Sequence, residues 1–306
     1  MVRLNSPGSL SMRPGLATSG SVVLVIAVAL VLSGCGGSNK VASSPTQTTA
    51  PINEKLAKSV PARFKVQPLI VASDATLAPM EFVQGKKKYI VGADIDIATA
   101  LAQTLGLRLV VQNVSFADII SGVRSGAYDL GVSSATVTKA RETKVDFVSY
   151  FQAGSSYYVR KGARQVSKPA DLCGQTIAVQ RGTVAEALAV KQKPKCAKAR
   201  PLKIERFSGQ TAATQAVSKG AADVTITDTP IATWAVRNSK GKLTLSGKPF
   251  GVAPYGIAIA KGSGLTGPLN KAMNELIANG VYDNILLKWG LNAGAIKNSV
   301  INNAKK

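Results

Sequence analysis

The sequence predicts an α/β protein made of two lobes of like design. Three observations carry that prediction. Strand-like and helix-like segments alternate from residue 64 onward. The alternation completes one set and then restarts. The two sets also echo each other: SGAYDLGVSS (125–134) matches KGAADVTITD (219–228), and VASDAT (71–76) matches AVQRGT (178–183).

The first set opens with a strand over 66–73. A helix follows over 94–105, with Ile97, Leu101 and Leu105 on one stripe and Gly106 as its stop. A strand over 107–114, a short helix over 116–125 ended by Gly126, and a strand over 129–134 give βαβαβ. The second set has a strand over 176–180, a helix opened by the T-x-x-E capping box of Thr183 and Glu186, and a strand over 202–207. A helix ending at Gly220 and a strand over 222–227 complete it. Strands over 242–247 and 255–261 come next. Two helices then carry Leu269, Met273, Leu276 and Ile277 on the first and VYDNILLKW (281–289) on the second.

Ahead of this body stands an export signal. Residues 22–32, VVLVIAVALVL, are an unbroken apolar run of 11 preceded by Arg3 and Arg13. A membrane-spanning helix needs about 20 apolar residues, so the run fits the core of a signal peptide better. Its end, LSGC, resembles the bacterial lipobox and marks Cys35 for lipidation; simple cleavage at a small residue is the alternative. Residues 1–35 are therefore expected to be the signal and lipobox. Residues 36–63, rich in Ser, Thr, Pro and Gly, are expected to form a flexible tether, since such a composition cannot offset its ordering entropy. The expected location is the extracytoplasmic face of the cell membrane.

Composition narrows the function. The chain of 306 residues has 38 Lys and Arg against 16 Asp and Glu, a net charge of +22. Setting aside residues 1–34, with two arginines and no acid, leaves +20 (36 against 16). Such a charge suits anionic surfaces or a solvated exterior. Nucleic acid is not expected as a partner, because aromatics are only 5% and no dense basic run lies beside them. There is no histidine, which removes the commonest metal ligand and general base. No cofactor or metal is expected. With Cys35 in the signal region, Cys173 and Cys196 are an even remainder that can pair in an exported chain.

Several segments then resemble the family 3 extracellular solute-binding proteins, the amino-acid receptors of ABC importers. They are SDATLAPMEF (73–82), GADIDIATALAQTLG (92–106), SFADIISGVRSGAYDLGVSSATVTKARETKVDFV (115–148), DLCGQTIAVQRGTVAEALA (171–189), ADVTITDTPIA (222–232), APYGIAIAKG (253–262) and NGVYDNILLKWG (279–290). The resemblance implies a type II periplasmic-binding-protein fold: two α/β lobes, a two-segment hinge and a ligand cleft between them. Lobe 1 would hold 64–153 and 255–293, lobe 2 would hold 157–248, and 294–306 would be a C-terminal tail. It also implies a free amino acid as ligand and a membrane permease as partner.

The chemistry agrees. A cleft that excludes water must satisfy both charges of an α-amino acid. Arg141, a planar fork, matches the family's carboxylate-binding arginine. Ser133, Ser134 and Thr136 precede it as polar neighbours. Thr183 opens a helix whose free N–H groups suit the same carboxylate. Asp228 matches the acid that receives the ammonium. Each has a plainer reading: Ser133 and Ser134 as a turn, Thr183 and Asp228 as helix caps, and Arg141 as a solvated partner of Glu142.

Asp74 matches a position that contacts the ligand's side chain, and Phe116 one that packs over its aliphatic part. Leu77 departs from the usual aromatic and removes a stacking or cation–π partner. That departure favours a polar, uncharged ligand such as glutamine, with basic or acidic ones close behind; Arg181 could reach an acidic side chain. A non-catalytic binding protein is expected. The alternative is an exported enzyme on the same fold, similar to cyclohexadienyl or arogenate dehydratases. A membrane sensor would need a transmembrane span and a signalling module.

Overall fold

The computed structural model describes residues 49–86 and 88–305. The expected signal, the lipobox cysteine Cys35 and the tether up to residue 48 lie outside the described residues. Among the described residues, no helix is long and apolar enough to cross a membrane.

In the first lobe, β1 (Leu69–Ser73) is flanked in parallel by β5 (Leu109–Asn113) and β6 (Leu130–Gly131). Helices α3 (Ala93–Thr104) and α4 (Phe116–Ser125) cover these strands. They are joined from the C-terminal part of the chain by α9 (Thr266–Ala278) and α10 (Val281–Trp289). Ile97 and Leu101 of α3, Ile119 and Val123 of α4, Leu269, Met273 and Leu276 of α9, and Leu286 of α10 pack into one apolar core. Full burial of each such side chain contributes about 1.5–3 kcal/mol. A small antiparallel sheet of β2 (Thr76–Leu77), β3 (Glu81–Gln84) and β4 (Tyr89–Val91) sits between β1 and α3 in the chain.

The second lobe repeats the plan. Its central strand is β8 (Thr176–Gln180), flanked in parallel by β9 (Lys203–Phe207) and β10 (Val224–Asp228). Side chains alternate across the strands. Ile177 and Val179 pack toward α6 (Val184–Gln192) with Ala185 and Ala189. Ala178 packs toward α7 (Gln210–Lys219) with Ala213 and Val217. Helix α8 (Thr229–Arg237) follows β10 directly.

The echo between the two sets has a physical basis. Helices α4 and α7 end at Gly126 and Gly220, with φ of 80° and 82°. The next acid then clamps the central strand in the same way in each lobe. Asp129 accepts from Ile70 N at 2.8 Å and returns its own N–H to the Ile70 carbonyl at 2.9 Å. Asp223 accepts from Thr176 N at 2.7 Å and donates to the Thr176 carbonyl at 2.9 Å.

Two long antiparallel strands join the lobes: β7 (Asp146–Arg160) and β11 (Leu243–Ile259). The strands expected over 242–247 and 255–261 are the two ends of β11. The whole forms one eight-stranded sheet of order β5-β1-β6-β11-β7-β10-β8-β9. Cys173 and Cys196 are disulfide-bonded, with Cα atoms 5.3 Å apart.

Three sequence expectations need correction. The expected tether (36–63) does not run to residue 63. Helix α1 (Glu54–Ser59), capped by Asn53 on Leu56 N, and the short turn α2 (Arg63–Val66) lie there. Leu56, Val60 and Phe64, spaced four apart, reach the core of the first lobe among exposed lysines. The strand expected from residue 66 accordingly starts at Leu69. The expected tail (294–306) is held too, within its described part: Ser149 N donates to the Val300 carbonyl at 3.0 Å, and Ile301 bridges Val148 on β7.

Candidate functional site

The lobes are closed on each other. Thr76 Oγ1 accepts from Gln210 N at 3.0 Å, and Thr211 Oγ1 donates to the Thr76 carbonyl at 3.2 Å. Farther out, the Phe82 ring meets Trp234 of the second lobe with centroids 5.9 Å apart. Between the lobes lies a narrow cavity of about 20 Å³. Phe116, Ser134, Thr136 and Arg141 line it from one side, and Thr183 and Asp228 from the other. Leu77, Gln180, Thr227 and Ile231 also line it.

Arg141 sits on the short helical turn α5 (Lys139–Glu142), which is capped by Thr138 accepting from Arg141 N at 3.3 Å. Its Nη1 donates to the Thr136 carbonyl at 2.7 Å and its Nη2 to the Gly182 carbonyl at 2.9 Å. The guanidinium carbon lies 5.2 Å from the Phe116 ring centroid. Desolvation lowers the Arg141 pKa, and the Asp228 charge opposes that shift. Glu142 pairs instead with Lys139 at 3.3 Å, so the solvated Arg141–Glu142 pair does not form.

Asp228 ends β10 and accepts from Tyr255 Oη at 2.7 Å and Ser155 Oγ at 3.5 Å, both on the crossing strands. Its pKa is pushed up to about 6 by removal from water, against the Tyr255 hydrogen bond and the Arg141 charge. Thr183 is the cap of α6, accepting from Glu186 N at 3.2 Å. The reciprocal contact shifts one residue back: Glu186 Oε2 accepts from Gly182 N at 2.8 Å rather than from Thr183. Val184 and Ala185, the first residues of α6, face the cavity, so the positive end of the helix points into it.

Gly182 allows this closeness. Its φ is +77°, and a Cβ there would stand 2.9 Å from Ala117 Cα of the opposite lobe.

Two predicted residues sit beside the cavity rather than on its wall. Asp74 is buried under it. Its Oδ1 accepts from Thr76 Oγ1 at 2.6 Å, and its Oδ2 accepts from Phe116 N at 2.9 Å and from Gln180 Nε2 at 2.7 Å across the lobes. Burial raises the Asp74 pKa, against those hydrogen bonds. The hydroxyl of Ser133 turns away: it donates to Glu81 Oε1 at 2.7 Å and accepts from Asp74 N at 3.0 Å. Arg181 is exposed and lines no part of the cavity.

Sequence reasoning missed Gln180, Tyr255, Glu81, Asp94 and Tyr150. Gln180 is fully buried, and its Oε1 has no partner among the described residues. Its place as the last residue of a parallel strand is a readable signal, because open α/β sheets bind ligands beyond the carboxyl ends of their strands. Among the described residues, no group of three His, Cys, Asp or Glu stands close enough to hold a metal ion.

Two α/β lobes on a shared pair of crossing strands, with opposite charges facing one interlobe cavity, define a closing-cleft binding protein. Residues 69–292 match the bacterial extracellular solute-binding proteins, family 3, and the chain belongs to that family. It is 30% identical over 237 residues to the arginine-binding protein ArgT of Corynebacterium glutamicum, covering 76% of this chain and 78% of that one. An ancestral arginine-binding protein was solved with arginine (34% identity, TM-score 0.67, 72% of this chain and 97% of that one) and with glutamine (33%, 0.68, 73% and 98%). An ancestral amino acid-binding protein described as a precursor of cyclohexadienyl dehydratase also aligns (31%, 0.66, 77% and 98%).

Proposed function

We propose that this protein captures a free polar amino acid between its lobes and delivers it to the membrane permease of an ABC importer. The observation that carries this is the facing of Arg141 and Asp228, from opposite lobes, in one closed cavity. Arg141 takes the α-carboxylate, helped by the first N–H groups of α6, and Asp228 takes the α-ammonium. Ser134 and Thr136 supply polar contacts, and Phe116 covers the aliphatic part of the ligand. Ser133 supports this floor from behind.

In the closed structure both arms of Arg141 rest on backbone carbonyls. An entering carboxylate competes for them, and opening at the hinge makes the room.

The ligand side chain is read from Asp74 and Gln180. A buried carboxylate and an unpaired amide oxygen accept from N–H groups, which suits the guanidinium of arginine. Leu77 offers no aromatic face, which suits glutamine. Calorimetric titration with the twenty amino acids tests the reading. Binding of arginine or glutamine supports it, and binding of none rejects it.

A second reading, an exported dehydratase on this fold, rests on Asp228 titrating near 6, within reach of proton transfer. Turnover of prephenate or arogenate would establish it. Anchoring through Cys35 is part of the proposal; loss of lipid labelling in Cys35→Ser tests it.

A further inference from the structure

We infer that Glu81 and Asp94 share one proton, held by Glu81, and that this neutral-acid and carboxylate pair fixes the Ser133–Ser134 turn on which the cleft floor is built. The effect on binding rests on the cleft reading above; the shared proton does not.

Glu81 lies on β3 and Asp94 in the first turn of α3, and both side chains are fully buried. Their carboxyl groups converge on one hydroxyl: Ser134 Oγ lies 3.4 Å from Glu81 Oε2 and 3.2 Å from Asp94 Oδ2. Asp94 Oδ1 is buried and has no hydrogen-bond partner among the described residues. Asp94 Oδ2 is occupied: it accepts from Ser134 N at 2.6 Å, Tyr150 Oη at 2.8 Å and Ser134 Oγ at 3.2 Å. Glu81 Oε1 accepts from Ser133 Oγ at 2.7 Å. Among the described residues, none of the four ion pairs includes either acid. The other titratable groups facing the pair are Asp74, Tyr150 and Tyr255, and none is a cation.

Two bare carboxylates in that setting would be very costly. One proton removes one charge and supplies the donor that Asp94 Oδ1 lacks. Asp94, with several donors and the N-terminal end of α3, is the better anion. Burial and the Asp94 charge hold the Glu81 pKa well above its usual value.

The pair acts on the site through the backbone. Ser134 is a non-glycine residue at φ 48°, a conformation that side chains disfavour, and Asp94 holds its N–H. Two residues on, Thr136 presents its carbonyl to Arg141 at 2.7 Å. Glu81 and Asp94 are thus positioning residues.

The test compares the melting temperature of the full chain with that of Glu81→Gln between pH 4.5 and 7.5. A glutamate that stays protonated when folded but ionises near its usual pKa of about 4.3 when unfolded takes up a proton on folding. Wild-type stability then falls as pH rises through that window. Glutamine mimics the neutral acid and escapes the fall, so the variant's advantage grows with pH. A difference that is flat, or that shrinks as pH rises, overturns the shared proton. If Glu81→Gln fails to fold, infrared spectra of the wild type at pH 7.5 decide: a protonated carboxyl band supports the inference and its absence rejects it. Arginine titration gives the positioning arm: Glu81→Gln keeps its affinity within about threefold, and Asp94→Asn loses about tenfold or more. If the wild type binds no amino acid, the cleft reading fails while the melting series still judges the proton.

Discussion

Arg141 reaches across the cleft and donates from Nη2 to the carbonyl of Gly182 at 2.9 Å, so the residue proposed to grip the ligand also bridges the lobes. Arg141→Ala removes the fork and should abolish amino-acid binding, by about 100-fold or more, because the ligand carboxylate is left buried without its partner. Arg141→Lys should recover only part, since an ammonium cannot make two parallel bonds. Calorimetry measures both, and an unshifted melting temperature shows that the fold survives.

Affinity should depend on Asp228 being charged. Its pKa of about 6 lies above the ordinary value of 3.8, so free protein takes up a proton there as pH falls. Binding should weaken below about pH 6, approaching tenfold per unit at the limit, and level off above it. In Asp228→Asn the weakening should vanish, along with most of the affinity. The linked stability effect has the opposite sense: the folded state holds this proton more tightly, so the Asp228 contribution declines between about pH 4 and 6.

Asp74→Asn tests side-chain recognition. The substitution keeps an oxygen acceptor and removes the charge, so arginine should lose affinity by about tenfold or more and glutamine by much less. Parallel titrations give the ratio. An equal loss for both ligands assigns Asp74 to holding Phe116 and Gln180 in place.

Gly182→Ala should impair closure rather than contact. The added carbon must accept φ +77° and meet Ala117 Cα at 2.9 Å. The closed state becomes the minor one, and affinity drops by the population lost, about tenfold for each 1.4 kcal/mol. Small-angle scattering with saturating ligand should report a more open shape than the wild type.

Much of this was legible in the sequence because it is carried by local chemistry. Gly126 and Gly220 stop helices, Asp129 and Asp223 precede strands, and Thr183 opens α6. These are short-range devices with fixed spacing. Arg141, Asp228, Thr136 and Phe116 were found through the family resemblance, and the structure brings them to one cavity.

What escaped depends on distant segments. Ser133 looks like a cleft hydroxyl until β3 brings Glu81 beneath it. The first-lobe anchors Leu56, Val60 and Phe64 are diluted by lysines, so composition hid a helix inside the expected tether. β7 reads poorly as one strand because Gln152, Ala153, Gly154 and Ser155 interrupt its apolar ends.

The two crossing strands limit how the cleft can open. Both belong to the same sheet as each lobe, so opening flexes this ribbon while parting the interlobe contacts of Thr76, Arg141 and Gln180. The ladder between them loses register between Ser246 and Phe250, between Phe250 and Ala253, and again at Tyr255 and Gly256. Gly154 lies beside this stretch, where an added Cβ would sit 2.8 Å from the Phe250 carbonyl. Few bonds resist bending there, and the ordered ladder on either side resists twisting. Arg141 and Asp228 stand on the two lobes that this ribbon joins, so its curvature sets the distance between guanidinium and carboxylate.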